Sequence, residues 1–119
     1  MNADPCRVLI VDDDTDTRDA LADALTVAGF LVEQAATGMQ ALKWMDQSGD
    51  PDVILLDLRM PGMDGAQFLE RARGTRARVI VLTGDASARV LSFARDAKVL
   101  AKPIDLDQLE SAVKEACAA

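Results

Sequence analysis

The sequence contains no histidine and no tyrosine, and only 3% of its residues are aromatic. Without histidine there are no Ser/His or Cys/His nucleophile pairs, no histidine metal sites and no histidine phosphoryl donor. Catalytic chemistry is left to carboxylates, lysine and hydroxyls. Cysteine is nearly absent. Cys6 and Cys117 are too few for a disulfide framework and too far apart for a metal knuckle, so each reads as a small apolar residue, buried or terminal. No apolar run approaches the ~20 residues that span a bilayer. The short run Val8 to Val11 has acidic residues on both sides and is not a signal peptide. Positive charge is in the minority, 13 Lys plus Arg against 20 Asp plus Glu, for a net charge of −7. That excess repels phosphate backbones, which excludes direct nucleic-acid and anionic-membrane binding as function classes. The compartment is read as cytoplasmic.

What is present is a half-apolar chain of 119 residues, enough for one domain over residues 1–119 that buries its own core. Short apolar runs recur at Arg7 to Val11, Leu31 to Ala35, Val53 to Leu56, Val79 to Leu82 and, more weakly, Val99 to Ala101. Continuous apolar runs of this length mark strands buried on both faces, as in a parallel sheet. Helical patterns separate them. Leu21, Ala24, Leu25 and Ala28 fall on one helical stripe, and Gly29 stands where a helix C′ residue belongs. Thr37 caps a helix through Gln47 with Ala41, Leu42 and Met45 inward, and Asp64 caps one with Phe68, Leu69 and Ala72 inward, ending near Gly74. Ser87 opens another with Val90, Leu91 and Ala94, and Asp105 the last, with Leu109, Val113 and Ala116. Five strand–helix repeats predict an α/β doubly wound fold, a parallel five-stranded sheet joined by right-handed crossovers.

In such sheets the ligand site lies at the carboxyl ends of the strands. There the sequence puts Asp12, Asp13 and Asp14 after the first strand, Asp57 after the third, Thr83 after the fourth and Lys102 after the fifth. Like charges ~4 Å apart at an effective dielectric of ~20 cost on the order of 4 kcal/mol per pair, so the acids call for a cation. Hard oxygen ligands suit Mg²⁺, and Lys102 adds a point charge of the kind used against phosphate. With the Thr83 hydroxyl and a neighbouring N–H as donors, the rim is arranged for phosphoryl transfer, and Asp57 is the natural nucleophile.

The stretches Val8-Leu9-Ile10-Val11-Asp12-Asp13 and Val53 to Gly65, with Asp57, Met60, Pro61, Asp64 and Gly65 in it, the run Val79 to Thr83-Gly84, and Lys102-Pro103 together resemble the receiver domain of two-component response regulators. The match covers nearly the whole chain in order. The resemblance implies a flavodoxin-like sheet of order 2-1-3-4-5 and a phosphoacceptor that takes its phosphoryl group from a sensor histidine kinase or a histidine phosphotransfer protein. It also implies slow autodephosphorylation and a readout by a downstream target or an output domain outside this chain. On this reading the domain catalyses its own phosphorylation and dephosphorylation without turning over small substrates. Position by position, Asp57 is the acceptor. Asp13 ligates Mg²⁺ directly and Asp12 through water, with Asp57 and the Arg59 carbonyl completing the protein ligands. Thr83 and Lys102 contact the phosphoryl oxygens, Gly84 follows Thr83, and Pro103 holds the Lys102 peptide, commonly in cis.

Other residues have plainer readings. Asp14 is a solvated residue or the N-cap of the first helix. Arg71, Arg73, Arg76 and Arg78 form the solvated end of the third helix, where cations suit the macrodipole. Trp44 and Phe93 are packing residues. The chain also departs from the receiver pattern. Val99 occupies the position, three residues before Lys102, where receivers often carry Tyr or Phe, so the signal is expected to run through Thr83 and the loop after it, or to couple weakly. Arg59 and Asp85, two residues beyond Asp57 and Thr83, are expected to pair across the site entrance and alter phosphoaspartate lifetime. Two rival functions are a receiver-like interaction module without phosphorylation and a haloacid-dehalogenase-like phosphatase built on Asp12-Asp13-Asp14. The second expects Thr or Val where Asp16 stands and lacks a cap domain.

Overall fold

Strands β1 (Arg7–Val11), β2 (Leu31–Ala35), β3 (Val53–Asp57), β4 (Arg78–Thr83) and β5 (Lys98–Ala101) pair side by side in the order β2-β1-β3-β4-β5. Every pairing is parallel. The computed structural model describes residues 5–57, 65–84 and 97–118. Helices α1 (Thr15–Val27), α2 (Gly38–Ser48) and α3 (Gly65–Ala72) link the strands, and a C-terminal helix (Leu106–Ala118) closes the chain. The expected Asp64 cap and the helix expected from Ser87 lie outside the described residues, as does Phe93.

Side chains of a strand alternate between faces, and the core divides accordingly. Val8, Ile10, Val53, Leu55, Ile80 and Leu82 face Leu21 and Leu25 of α1 and Leu109 and Val113 of the C-terminal helix. Their neighbours Leu9, Val11, Ile54, Leu56 and Val81 face Ala41 and Met45 of α2 and Phe68, Leu69 and Ala72 of α3. Every residue of β3 is buried, because it is central and covered on both faces, and this is why its sequence is apolar without alternation. The expectation of burial on both faces fails at β2. It pairs only with β1, and Leu31, Glu33 and Gln34 are exposed.

Local signals explain the helix ends. Asp14 caps α1 and Thr37 caps α2, each accepting a backbone N–H with its side chain. Gly29 follows α1 with φ +103 and Gly49 follows α2 with φ +83, left-handed values that a residue with a Cβ rarely adopts. Before the C-terminal helix, Asp105 Oδ1 accepts from the N–H groups of Asp107 and Gln108.

The two cysteines correct their sequence reading. Cys6, just ahead of β1, and Cys117, in the last turn of the C-terminal helix, have Cα atoms 6.0 Å apart and form a disulfide across 111 residues. In a strand–helix repeat each strand starts, and each helix ends, at the same edge of the sheet, so a separation of 111 residues along the chain closes in space.

At that same edge Asp52 ties three strands together. Its Oδ2 accepts from the Arg7 N–H at 2.8 Å and its Oδ1 from the Arg76 guanidinium at 3.0 Å. Its own N–H donates to Arg7 O, and Arg78 N–H donates to its carbonyl. The Arg7 N–H is the largest cause, with the Arg76 bond adding to it against partial desolvation, holding the Asp52 carboxyl below its ordinary value. Asp52→Asn keeps an acceptor oxygen but loses the charge, and is expected to cost about 0.5–1.5 kcal/mol in urea unfolding near neutral pH. Because the folded pKa is depressed, this contribution is present above the unfolded value of about 4 and is lost as pH falls through the folded one. A wild-type advantage that persists undiminished into strong acid contradicts this.

Candidate functional site

The parallel register brings the carboxyl ends of β1, β3, β4 and β5 to one rim. Val11 lies beside Leu56, Asp57 beside Leu82 and Thr83 beside Ala101. Asp12 and Asp13 follow β1, Asp57 ends β3, Thr83 ends β4 and Lys102 follows β5, so the five side chains expected to cooperate come from four strand ends. Asp12 and Asp57 are each 1% exposed and Thr83 is 4% exposed. Asp13 is exposed and Lys102 partly so.

Carboxylate oxygens of Asp12, Asp13 and Asp57 lie within 4.8 Å of one another. Lys102 Nζ stands 3.1 Å from Asp57 Oδ2, and the Lys102 N–H donates to the Thr83 carbonyl at 2.8 Å. Lys102 is thus fixed by its backbone to β4 and by its ammonium to the end of β3. The Lys102–Pro103 peptide is cis, an isomer the sequence left open.

Asp12 is held mainly by hydrogen bonds to its backbone and to one side-chain oxygen. Its N–H donates to Ala35 O at 3.1 Å, its Oδ1 accepts from the Asp14 N–H at 2.9 Å, and its carbonyl accepts from the Arg18 guanidinium at 2.7 Å. Arg18 also reaches Gln34 Oε1 at 3.1 Å. The sequence reading missed this residue, which braces the loop after β1. A cation four residues beyond Asp14 carried no signal of its own, because only the folded α1 turns it back over that loop. Asp12 Oδ2 is buried with no hydrogen-bond partner. Burial first, and then the charge of Asp57, push the Asp12 carboxyl up to about 6, against the Asp14 N–H and the Lys102 ammonium.

Among the remaining sequence-predicted residues, Gly84 is exposed at the end of β4 with open space where a Cβ would sit. Arg59 and Asp85 lie outside the described residues, so their expected pairing is not among the contacts seen. Asp14 caps α1, accepting from the Thr17 N–H, and its own N–H donates to Asp12 Oδ1. Arg73 pairs with Glu70 at 2.8 Å and Arg76 with Asp52 at 3.0 Å, and with Arg71 and Arg78 they are exposed. Trp44 is partly buried beneath the Arg7 guanidinium, 5.1 Å from its ring centroid. Val99 is partly buried against the core face that holds Phe68 and Val81.

A doubly wound parallel sheet with buried acids, a lysine and a hydroxyl at its carboxyl edge defines the chain as an α/β protein of the flavodoxin-like class. Residues 8–114 match the response regulator receiver domain family, and the chain belongs to that family, the receiver domains of two-component signalling. It is 35% identical over 114 residues to sporulation initiation phosphotransferase F of Bacillus subtilis (strain 168), covering 92% of this chain and 91% of that protein. Other curated relatives are longer, and the chain spans 25% of one and 12% of another. A putative response regulator from Chloroflexus aurantiacus superposes with a TM-score of 0.87 at 34% identity, covering 98% of this chain and all of that one. The response regulator TrrA from Thermotoga maritima, in complex with Mg²⁺ and BeF, superposes with a TM-score of 0.82 at 31% identity, covering 93% and 98% of the two chains.

The Asp12 environment gives a direct check. Because its folded value lies above the unfolded 3.8, the native state binds the extra proton, so the penalty is absent below about pH 4 and complete above about pH 6. Asp12→Asn retains the acceptor for the Asp14 N–H and removes the buried charge. In EDTA it is expected to stabilise the fold by about 1–3 kcal/mol near neutral pH, with the gain vanishing near pH 4. Destabilisation near neutral pH in EDTA contradicts this account.

Proposed function

We propose that residues 1–119 act as one phosphoacceptor receiver domain. Asp57 takes a phosphoryl group from a phosphohistidine on a sensor kinase or histidine phosphotransfer protein, loses it slowly by hydrolysis, and presents the phosphorylated state to a downstream protein target or output domain. The observation that carries this is the buried Asp57 carboxylate, 3.1 Å from the Lys102 ammonium and grouped with the oxygens of Asp12 and Asp13. Work in the cytoplasm suits a kinase-fed acceptor, and no described helix is long and apolar enough to cross a membrane. The net charge of −7 favours protein partners over nucleic acid or anionic lipid.

The donor set fits Mg²⁺. Three carboxylates offer hard oxygens within 4.8 Å, and the unpartnered Oδ2 of Asp12 is a buried acceptor that lacks a donor. Asp13 and Asp57 would hold the ion directly, Asp12 through water, and the Arg59 carbonyl would supply a further ligand. Bound there, Mg²⁺ offsets the crowded acids and the charge on the phosphoryl oxygens.

The chain's own groups do the rest. An oxygen of Asp57 attacks phosphorus, the P–N bond to the donor imidazole breaks, and its electron pair stays with the imidazole nitrogen. Lys102, held against β4 through its backbone, moves its ammonium from Asp57 to a phosphoryl oxygen, so the charge pair exchanges partner with little motion. Thr83, one register step beyond the neighbour of Asp57, donates its hydroxyl to another oxygen. In hydrolysis water attacks phosphorus, the P–O bond breaks and Asp57 regains its carboxylate. Gly84 leaves the entrance beside Thr83 open, while Arg59 and Asp85 modulate water entry and Pro103 fixes the Lys102 turn. With Val99 where an aromatic switch commonly stands, the signal leaves through Thr83 and the loop after it.

Acetyl phosphate and Mg²⁺ are expected to add the mass of one phosphoryl group to the wild-type chain, with none added in EDTA or to Asp57→Asn. No added mass in the wild type overturns the proposal in favour of a protein-interaction module. Lys102→Ala is expected to slow phosphorylation on the order of 100-fold, the loss typical for one donor to developing charge, with the far-ultraviolet circular dichroism spectrum retained. A rate within twofold of wild type contradicts the role given to Lys102.

A further inference from the structure

The disulfide stands at the edge of the sheet opposite the acidic rim and takes no part in the chemistry above. Cys6 and Cys117 are both partly exposed, and they line a cavity of about 520 Å³ together with Arg7, Arg76 and Lys114. Asp52 is the acid in that wall, and the Arg7 N–H and the Arg76 guanidinium already engage its carboxylate. The sulfurs therefore share a solvent-open cleft that a small thiol can reach, its cations Arg76 and Lys114 already paired with Asp52 and Glu110, and access is one of the factors that set the rate of thiol–disulfide exchange. Both cysteines pack at the border of the core face that holds Leu109 and Val113. Cys117 lies in the last turn of the C-terminal helix, where carbonyls lack intrahelical partners and the helix frays.

We propose that Cys6 and Cys117 form a reversible thiol–disulfide site, a position of redox modification whose opening frees the last turn of the C-terminal helix from β1. In the closing direction the Cys6 thiolate attacks one sulfur of a low-molecular-weight disulfide. The small disulfide breaks, a mixed disulfide forms on Cys6, and one small thiolate leaves. Cys117, its proton passed to water, attacks the Cys6 sulfur, forms the protein disulfide and expels the second small thiolate. Two electrons pass from the protein dithiol to the small disulfide, and each departing thiolate takes up a proton. Opening is the reverse, with two small thiols consumed. Cys6 is the first attacker because it lies in extended chain just ahead of β1, whereas a thiolate at Cys117 forms at the negative end of the helix dipole; the Arg7 guanidinium itself turns away onto Trp44 and Ser48.

The test uses the full chain. Equilibrated across a series of reduced-to-oxidised glutathione ratios and trapped with a maleimide, wild-type protein is expected to pass from no labels to two within the series, and re-oxidation to restore none. On reduction, hydrogen exchange at amides 114–118 is expected to rise at least about tenfold, while Leu109 stays protected. A bond that glutathione leaves closed at every ratio marks a permanent staple and overturns the proposal. Opening without the change in exchange overturns the release of the helix end. Brief alkylation of the reduced wild type, read by peptide mass spectrometry, is expected to label Cys6 before Cys117, and equal or reversed order overturns Cys6 as the attacker. Cys117→Ser with oxidised glutathione is expected to stop at a mixed disulfide on Cys6. If that variant fails to fold, the labelling order in wild type still decides.

Discussion

Two buried carboxylates, Asp12 and Asp57, lie side by side at the carboxyl edge of the sheet with the Lys102 ammonium against them, and much of the molecule serves to keep that arrangement in place. Removing carboxylates from water is costly unless they are paired or hydrogen-bonded. Lys102 answers Asp57 at 3.1 Å, and the Asp14 N–H answers one oxygen of Asp12. The other oxygen of Asp12 is left without a partner. The site is thus built at some expense of stability, as is common where a protein keeps charge for function.

The scaffold meets that cost with a rigid frame. β3 is buried throughout, so Asp57 is delivered by the best-packed strand of the sheet. Asp12 is fixed by the Ala35 carbonyl of β2 and braced by Arg18 from α1. Lys102 is fixed by the Thr83 carbonyl. Asp12, Asp57 and Lys102 are each held by a neighbouring strand or helix as well as by their own, so their geometry is a property of the sheet register.

The opposite edge shows the same economy with different chemistry. Asp52 joins β1, β3 and β4 through its backbone and carboxylate, and the disulfide joins the start of β1 to the end of the C-terminal helix. Cys6 and Cys117 meet because parallel strand–helix repeats return each helix to the edge from which the strands set out. Charge is distributed accordingly. The acids that crowd the carboxyl edge have their counterpart in Arg7, Arg76 and Lys114 around the cavity at the other edge.

Legible in the local sequence were the order of the described strands and helices, the bounds of β1 and β2, the cap at Thr37 and the acids of the rim, while Asp14 was open between a cap and a solvated residue. Each of these rests on a local signal: an apolar run, a capping side chain, or an acid directly after a strand. The rest depends on residues distant in the chain. β2 became a half-exposed edge because sheet position, not its own apolar content, sets burial. Arg18 became a brace for Asp12 because α1 folds it back over the loop, and Asp52 became a tie because three strands start beside it. Cys6 and Cys117 became partners because the parallel fold closes 111 residues of separation into a Cα distance of 6.0 Å. A local pattern can announce an element and a rim residue, but pairing at long range is fixed by where the sheet brings the chain back to itself.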